Sequence, residues 1–329
     1  MPLCLRVGSL LLMAAMCAGC SAEPPPRARG IVLITLDTTR ADHLGVYGHA
    51  GGVSPSTDAL AAESEVFEHA ISPSSWTLPA HASLFTGKLP TAHGAEYAKN
   101  GPLLLAAALP DEDLGEYRAR GLDRGEVTLA ERLRQAGYAT HAVVAGPWLK
   151  RVFGLDAGFA TYDDQGINHV NGRPANEVTD AAIAWLRQQA SQPFFLFLNY
   201  YDAHAPYLPP PAAKERFFDP LPAAAKQDSM QAANALYDAE IWFADQHVGR
   251  LFAFLKETGR WDDTLIVVTA DHGDLLGEHG RFGHGRSVTQ AEIHVPLIIK
   301  QPRSRAASAA CQRRCSSPMC SPPCSTAPA

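Results

Sequence analysis

The strongest constraint on this chain is a repeated alternation of short apolar runs with helix-length amphipathic stretches. IVLITL (31–36), THAVVA (140–145), FFLFLNY (194–200), TLIVVT (264–269) and VPLIIK (295–300) are close to continuously apolar. A strand with one wet face alternates, whereas a strand covered on both faces does not, so these runs read as buried strands. Between them, SPSTDALAAES offers a Ser cap with Pro in the first turn. TLAERLRQAG ends on Gly137, a natural C-cap. Residues 175–189 form a further helix candidate. Residues 232–257 form a long one, with Ile241, Ala244, Val248, Leu251 and Leu255 on one face. The alternation predicts an α/β sandwich around a large, mostly parallel sheet flanked by helices, with loop-rich insertions at 95–127 and 208–230. A 329-residue chain that is 46% apolar and 19% charged is not disordered, collagen-like or a polytopic membrane protein. A net charge of −6, with no basic helix and no zinc-finger spacing, gives nucleic acid nothing to bind.

Three runs end in the same chemistry. IVLITL runs into Asp37, FFLFLNYY into Asp202 and His204, and TLIVVTA into Asp271 and His272. Ligands of open α/β sheets bind beyond the carboxyl ends of the strands, where carboxylates and imidazoles together can hold a divalent cation. Carboxylate oxygens suit Ca²⁺, Mg²⁺ or Mn²⁺, and imidazole adds Zn²⁺. One strand-end Asp alone would be read as a helix cap; three, two of them with a nearby His, read as a site. A second feature is WTLPAHASLFTG. Thr77 stands just before a predicted helix with Pro79 in its first turn and Gly87 as terminator. A hydroxyl at that helix end faces a region that favours anions, and beside a divalent cation it would lose its proton and attack an ester. The plain alternative is an N-cap threonine.

Taken together these residues resemble the sulfatase family of the alkaline phosphatase superfamily. The resemblance covers residues 30–302. It rests on IVLITLDTTRADHLGVYG, WTLPAHASLFTG, FFLFLNYYDAHAPYLPP and DDTLIVVTADHGDLLGEHGRFGHG, in family order. It implies one divalent metal ion held by Asp37, Asp271 and His272, with Thr77 in the nucleophile slot and also touching the metal. His204 and His284 match positions that contact the transferred anionic group or the leaving oxygen. Asp202 is a weaker candidate beside them, and His43 and His279 read as structural. Tyr97, Trp148 and Tyr207 are candidate pocket residues. The implied activity is hydrolysis of a sulfate or phosphate ester of a small molecule, glycan or lipid. The alternatives are a transferase that passes a phospho-headgroup to an envelope lipid or glycan, and an inactive truncated homologue.

The chain departs from the family pattern in three places. Many sulfatases have two adjacent acids after the first strand; here Thr38 follows Asp37, which weakens the case for calcium and leaves manganese or zinc open. Sulfatases convert Cys or Ser of C/S-x-P-x-R to formylglycine. Here the motif is Thr77-Leu-Pro79-Ala-His81, with His81 in place of Arg near the substrate. Oxidation of a secondary alcohol gives a ketone, so formylglycine chemistry is not expected, and relatives with Thr in this slot commonly handle phosphoesters. The third departure is the end of the chain: family members continue past VPLIIK into a smaller C-terminal subdomain. Here 303–329 is rich in Cys, Ser, Ala and Pro. It is read as an unstructured tail translated in a wrong frame, the alternatives being a genuine cysteine tail or a degenerate paralogue.

Cysteines occupy only the two ends, at 4, 17 and 20 and at 311, 315, 320 and 324. The body between therefore uses none as nucleophile, ligand or disulfide. Residues 1–20 read as a lipoprotein signal, with an apolar core from Val7 to Ala18 and Ala18-Gly19 before Cys20, the expected lipidation site. Cleavage near Ala22 and free secretion is the alternative. Residues 21–29 form a Pro-rich tether. The expected location is the cell envelope, membrane-anchored by lipid and facing the periplasm or exterior.

Overall fold

The computed structural model describes residues 28–112, 117–189 and 192–303. The signal segment with Cys20, most of the tether, and the tail beyond Arg303 lie outside the described residues. The central sheet has seven strands: β1 (Gly30–Leu36), β2 (Glu65–Val66), β3 (Ala139–Val143), β4 (Thr161–Asp163), β5 (Phe194–Tyr200), β6 (Thr264–Thr269) and β7 (Leu297–Lys300). Their spatial order is β2-β7-β6-β1-β5-β3-β4. β1 lies between β5 and β6, parallel to both, and β3 is parallel to β4 and β5. β7 runs antiparallel to β6 and to β2. The sheet is mostly parallel, as the apolar runs require, with an antiparallel edge.

Every residue of β5 is buried, because alternate side chains feed different cores. Leu196, Leu198 and Tyr200 join Val32, Ile34 and Leu36 on one face. Phe195 and Phe197 join Leu33 on the other. Each of these two phenylalanines is 0% exposed, which is worth about 2–3 kcal/mol per ring. The first core is closed by α1 (Pro55–Ala61), α4 (Ala175–Gln188) and α5 (Ser229–Glu257). α5 contributes Ala244, Val248, Leu251 and Leu255, the periodic face visible in the sequence. The second core is closed by α2 (Thr77–Thr86) and α3 (Leu129–Gln135), with Leu78, Ala82 and Phe85 from α2.

Two local expectations changed. Ser54 occupies the cap position of α1 but makes no capping bond. Instead Asp245, on α5, accepts from Ser56 N at 2.7 Å and from Thr57 N at 2.8 Å. A buried carboxylate supplies the acceptor that the helix end needs, and Ser54 turns to Gly45 and Asp58. The 208–230 segment is also more ordered than a loop-rich insertion. It forms short helices at Pro211–Phe217 and Ala223–Gln227 that pack on α5.

Glu240 sits on the inner side of α5, 5% exposed. Burial, reinforced by Asp202, pushes its carboxyl up to about 8. The folded chain therefore holds a proton that the unfolded chain releases near pH 4.5, and stability falls as pH rises through that window towards 8. Glu240→Gln removes this cost. Its stability advantage over the parent chain should grow between pH 5 and pH 8 to about 2–4 kcal/mol, read from denaturant midpoints across pH.

Candidate active site

β1 and β6 are neighbours, and each ends in an acid at the same edge of the sheet. Asp37 follows β1 directly and Asp271 follows β6 by one residue. Both are buried, at 0% and 4% exposure. Asp271 Oδ1 accepts from Thr38 N at 3.1 Å and from His272 N at 2.8 Å. Thr38 reaches this position with φ 53, a left-handed conformation that a β-branched residue rarely adopts. Asn199, within β5, donates to Asp37 Oδ2 at 3.3 Å and accepts from the N–H groups of Ala145 and Gly146.

Two carboxylate oxygens are left over. Among the described residues, Asp37 Oδ1 and Asp271 Oδ2 are buried and have no hydrogen-bond partner. Carboxylate oxygens of both acids and a ring nitrogen of His272 lie within 4.8 Å of one another. His272 donates from Nδ1 to Gly273 O at 2.9 Å, which leaves Nε2 with a lone pair. Burial pushes this imidazole down to about 4, so it is neutral. Two acids and one neutral imidazole fit a divalent cation in charge and donor type, and the orphaned oxygens are the ones such an ion would satisfy. Without one, burial and Asp271 hold the Asp37 carboxyl well above the usual range. Burial also opposes ionisation of Asp271, but the backbone N–H groups of Thr38 and His272 that it accepts from favour the carboxylate, and it lies below that range.

Thr77 is the first residue of α2, not the residue before it, and its side chain caps nothing. Its Oγ1 instead lies 3.2 Å from His272 Nε2. His81, one turn along α2, is fully buried. Its Nε2 meets Thr35 Oγ1 at 3.0 Å and its Nδ1 meets Thr77 O at 2.9 Å. It stands 3.5 Å from Asp271 Oδ2. His81 therefore supports the cluster from within the core and presents nothing to a ligand. Burial lowers its pKa and keeps it neutral.

His284 and His204 stand on the outer side. The His284 ring is 4.4 Å from that of His272 and 5.0 Å from that of His204. Of Asp37, Thr77, Asp271, His272, His204 and His284, only the last two are partly exposed, so the cluster opens to solvent on their side. His284 Nδ1 lies 3.1 Å from Asp274 Oδ1, and Tyr207 donates to the other oxygen of Asp274 at 2.5 Å. His204 donates from Nδ1 to Ala205 O at 2.6 Å and stacks on Tyr201. Burial and His284 push it down to about 3, so it is neutral.

Asp202 is not brought into this cluster. Its Oδ1 accepts from Ala175 N at 3.0 Å, at the start of α4, and burial raises its carboxyl to about 7. Trp148 packs edge-on against Trp76 beside Thr77, Tyr97 lies on an exposed ribbon 57% accessible, and His279 is exposed. Sequence reasoning missed Asn199 and Asp274. The signal for Asn199 was a lone amide inside an otherwise apolar buried strand. For Asp274 it was a second acid three residues beyond Asp271.

A family model described as Sulfatase matches residues 29–317. An arylsulfatase of Clostridium perfringens is 26% identical over 331 residues, covering 83% of this chain and 68% of its own. The first curated relatives are spanned over 31% to 68% of their length. Among solved structures, the phosphonate monoester hydrolase of Agrobacterium radiobacter superposes with a TM-score of 0.66 at 22% identity, over 84% of this chain and 68% of that one. The soluble domain of lipooligosaccharide phosphoethanolamine transferase A from Neisseria meningitidis gives 0.61 at 18% identity, over 84% and 77%. These likenesses show a shared fold.

The paired acids predict a reversal of stability. Asp37 has a raised folded-state pKa, so its ionised form costs stability at pH 8. In chelator at that pH, Asp37→Asn should melt above the parent chain. Added divalent cation should then raise the parent more than the variant, the difference reaching about 2.7 kcal/mol at a hundredfold excess over the Kd of this site. Equal gains in both proteins would exclude Asp37 as a ligand.

Proposed function

Because the chain belongs to the sulfatase family, we propose that it hydrolyses sulfate or phosphate esters, with Thr77 as nucleophile and one divalent cation held by Asp37, Asp271 and His272. The observation that carries this reading is the pair of partnerless buried oxygens on Asp37 and Asp271, with the Thr77 hydroxyl beside the third ligand. A cation held by Asp37, Asp271 and His272 would supply Lewis-acid chemistry, lowering the pKa of the adjacent hydroxyl and drawing charge from a non-bridging oxygen. Thr77 Oγ1 attacks phosphorus or sulfur in line, its proton leaves to solvent, and the bond to the departing alcohol breaks. His284, with the Asp274 carboxylate behind it, donates a proton to the departing oxygen. His204, neutral with Nδ1–H committed to Ala205 O, leaves Nε2 as a hydrogen-bond acceptor that orients the water that cleaves the Thr77 ester, whose proton passes to solvent.

Threonine favours phosphorus over sulfur. Its secondary alcohol gives no aldehyde, so the hydrate collapse that expels sulfate from formylglycine has no counterpart here. A plain threonine ester must be cleaved at the transferred group, which suits phosphoesters and phosphonate esters. We place the enzyme in the cell envelope, tethered through Cys20. The reading rests on the apolar segment before Ala18-Gly19-Cys20 and on the absence of cysteine between residues 21 and 310. No helix among the described residues is long and apolar enough to cross a membrane.

The test is an activity panel of aryl sulfate, phosphate monoester, phosphate diester and phosphonate ester, run with Thr77→Ala and after chelation. Turnover should favour a phosphorus ester, fall by about 10³-fold or more in Thr77→Ala, and return when divalent cation is restored to the stripped parent. Sulfatase activity that survives Thr77→Ala would rule out this mechanism.

A further inference from the structure

A second convergence of metal-ligating groups joins the loop after β1 to α5, outside the strand-end cluster. We propose that His43, His49 and Asp238 form a separate cation site for a borderline transition ion of the Zn²⁺ class. His43 Nδ1 lies 2.7 Å from Asp238 Oδ1, and His49 Nε2 lies 3.2 Å from Asp238 Oδ2. One nitrogen from each ring and a carboxylate oxygen fall within 4.8 Å of one another. The two rings stack, with centroids 5.2 Å apart and planes 21° from parallel, so their nitrogens reach the carboxylate side by side.

The donor set identifies the ion. Two imidazoles and one carboxylate form a common three-ligand set for zinc, with a fourth position left for water. Calcium and magnesium prefer oxygen donors throughout and are poorly served. The surroundings leave an ion room to enter. Asp238 and His49 side chains are 15% and 22% exposed, and Gly51 beside them is exposed. A Cβ on Gly51 would stand 2.9 Å from His49 Nε2 and 3.2 Å from its Cδ2. Glycine there keeps open the space next to the ligating nitrogen.

The site would act as a clamp. Tyr237, the neighbour of Asp238 on α5, packs edge-on against His43 at 4.9 Å. Its hydroxyl donates to Thr38 O at 2.6 Å and accepts from Arg40 N at 2.9 Å. An ion shared by His43, His49 and Asp238 would fix α5 against the same loop that leads out of Asp37. The competing arrangement is a histidine–carboxylate ion pair with no metal.

Zinc binding to the chelator-stripped full chain, measured against a chromogenic competitor, separates the two. The parent should bind two equivalents, and His49→Ala should lose one. Asp271→Asn should also lose one, from the other site. If the parent binds one equivalent that His49→Ala abolishes and Asp271→Asn leaves, this site stands and the strand-end cluster does not hold zinc. Full zinc stoichiometry and parent affinity in His49→Ala would overturn the proposal. Should His49→Ala not fold, Gly51→Ala keeps all three ligands and should weaken that equivalent by about tenfold or more. Parent affinity there would overturn the proposal equally.

Discussion

The structure depends on two carboxylates that have no reason to share a dry space unless something positive joins them. Asp37 and Asp271 end the adjacent strands β1 and β6, so the parallel register of the sheet itself forces them together. Each is anchored on one oxygen: Asp37 by Asn199, Asp271 by the backbone of Thr38 and His272. The other oxygen of each is left without a partner. A core that buries two such oxygens gives up stability, because a desolvated acceptor without a donor costs about 1–3 kcal/mol. Two such oxygens facing one imidazole are donors of the kind a divalent cation would satisfy.

Thr38 shows how the chain holds this arrangement with one acid fewer than many sulfatases. In place of a second carboxylate after Asp37 it has a β-branched residue in the left-handed region. The strained turn aims the Thr38 amide at Asp271, and its hydroxyl donates to Asp37 O at 2.8 Å. The loop is pinned again by Tyr237, which bonds both Thr38 O and Arg40 N. The strain is local and the bonds that sustain it come from α5. Here the backbone, not a second side-chain charge, holds the cluster, which carries one negative charge less.

Strand runs and helix periodicity were legible because both cores impose them. All five apolar runs became strands, and the stripe on α5 became its buried face. What the sequence could not show was direction at the strand ends. Asp202 and Asp271 look equivalent, each an acid after a buried strand with a histidine close behind. Asp202 turns to the N–H of Ala175, because the α4 terminus lies within reach and has donors to satisfy. Asp271 has no helix end before it and turns to the Thr38 and His272 amides. The same limit explains Asp245, which caps α1 from 188 residues away. Such partners are fixed by tertiary packing alone. Asn199 and Asp274 carried signals, a polar residue in an apolar strand and a second acid three residues beyond Asp271. Reading either required knowing which neighbours they would meet.

The two outer histidines show why position in the fold matters more than residue type. His204 and His284 are 5.0 Å apart, yet their environments differ. His204 is stacked on Tyr201 and bonded to a carbonyl, surroundings that favour the neutral ring. His284 has a carboxylate behind Nδ1, and that carboxylate is itself oriented by Tyr207. Burial disfavours a charge on the His204 ring. The difference is set by a single buried acid three residues beyond Asp271, which holds the His284 ring while the His204 ring rests on a carbonyl.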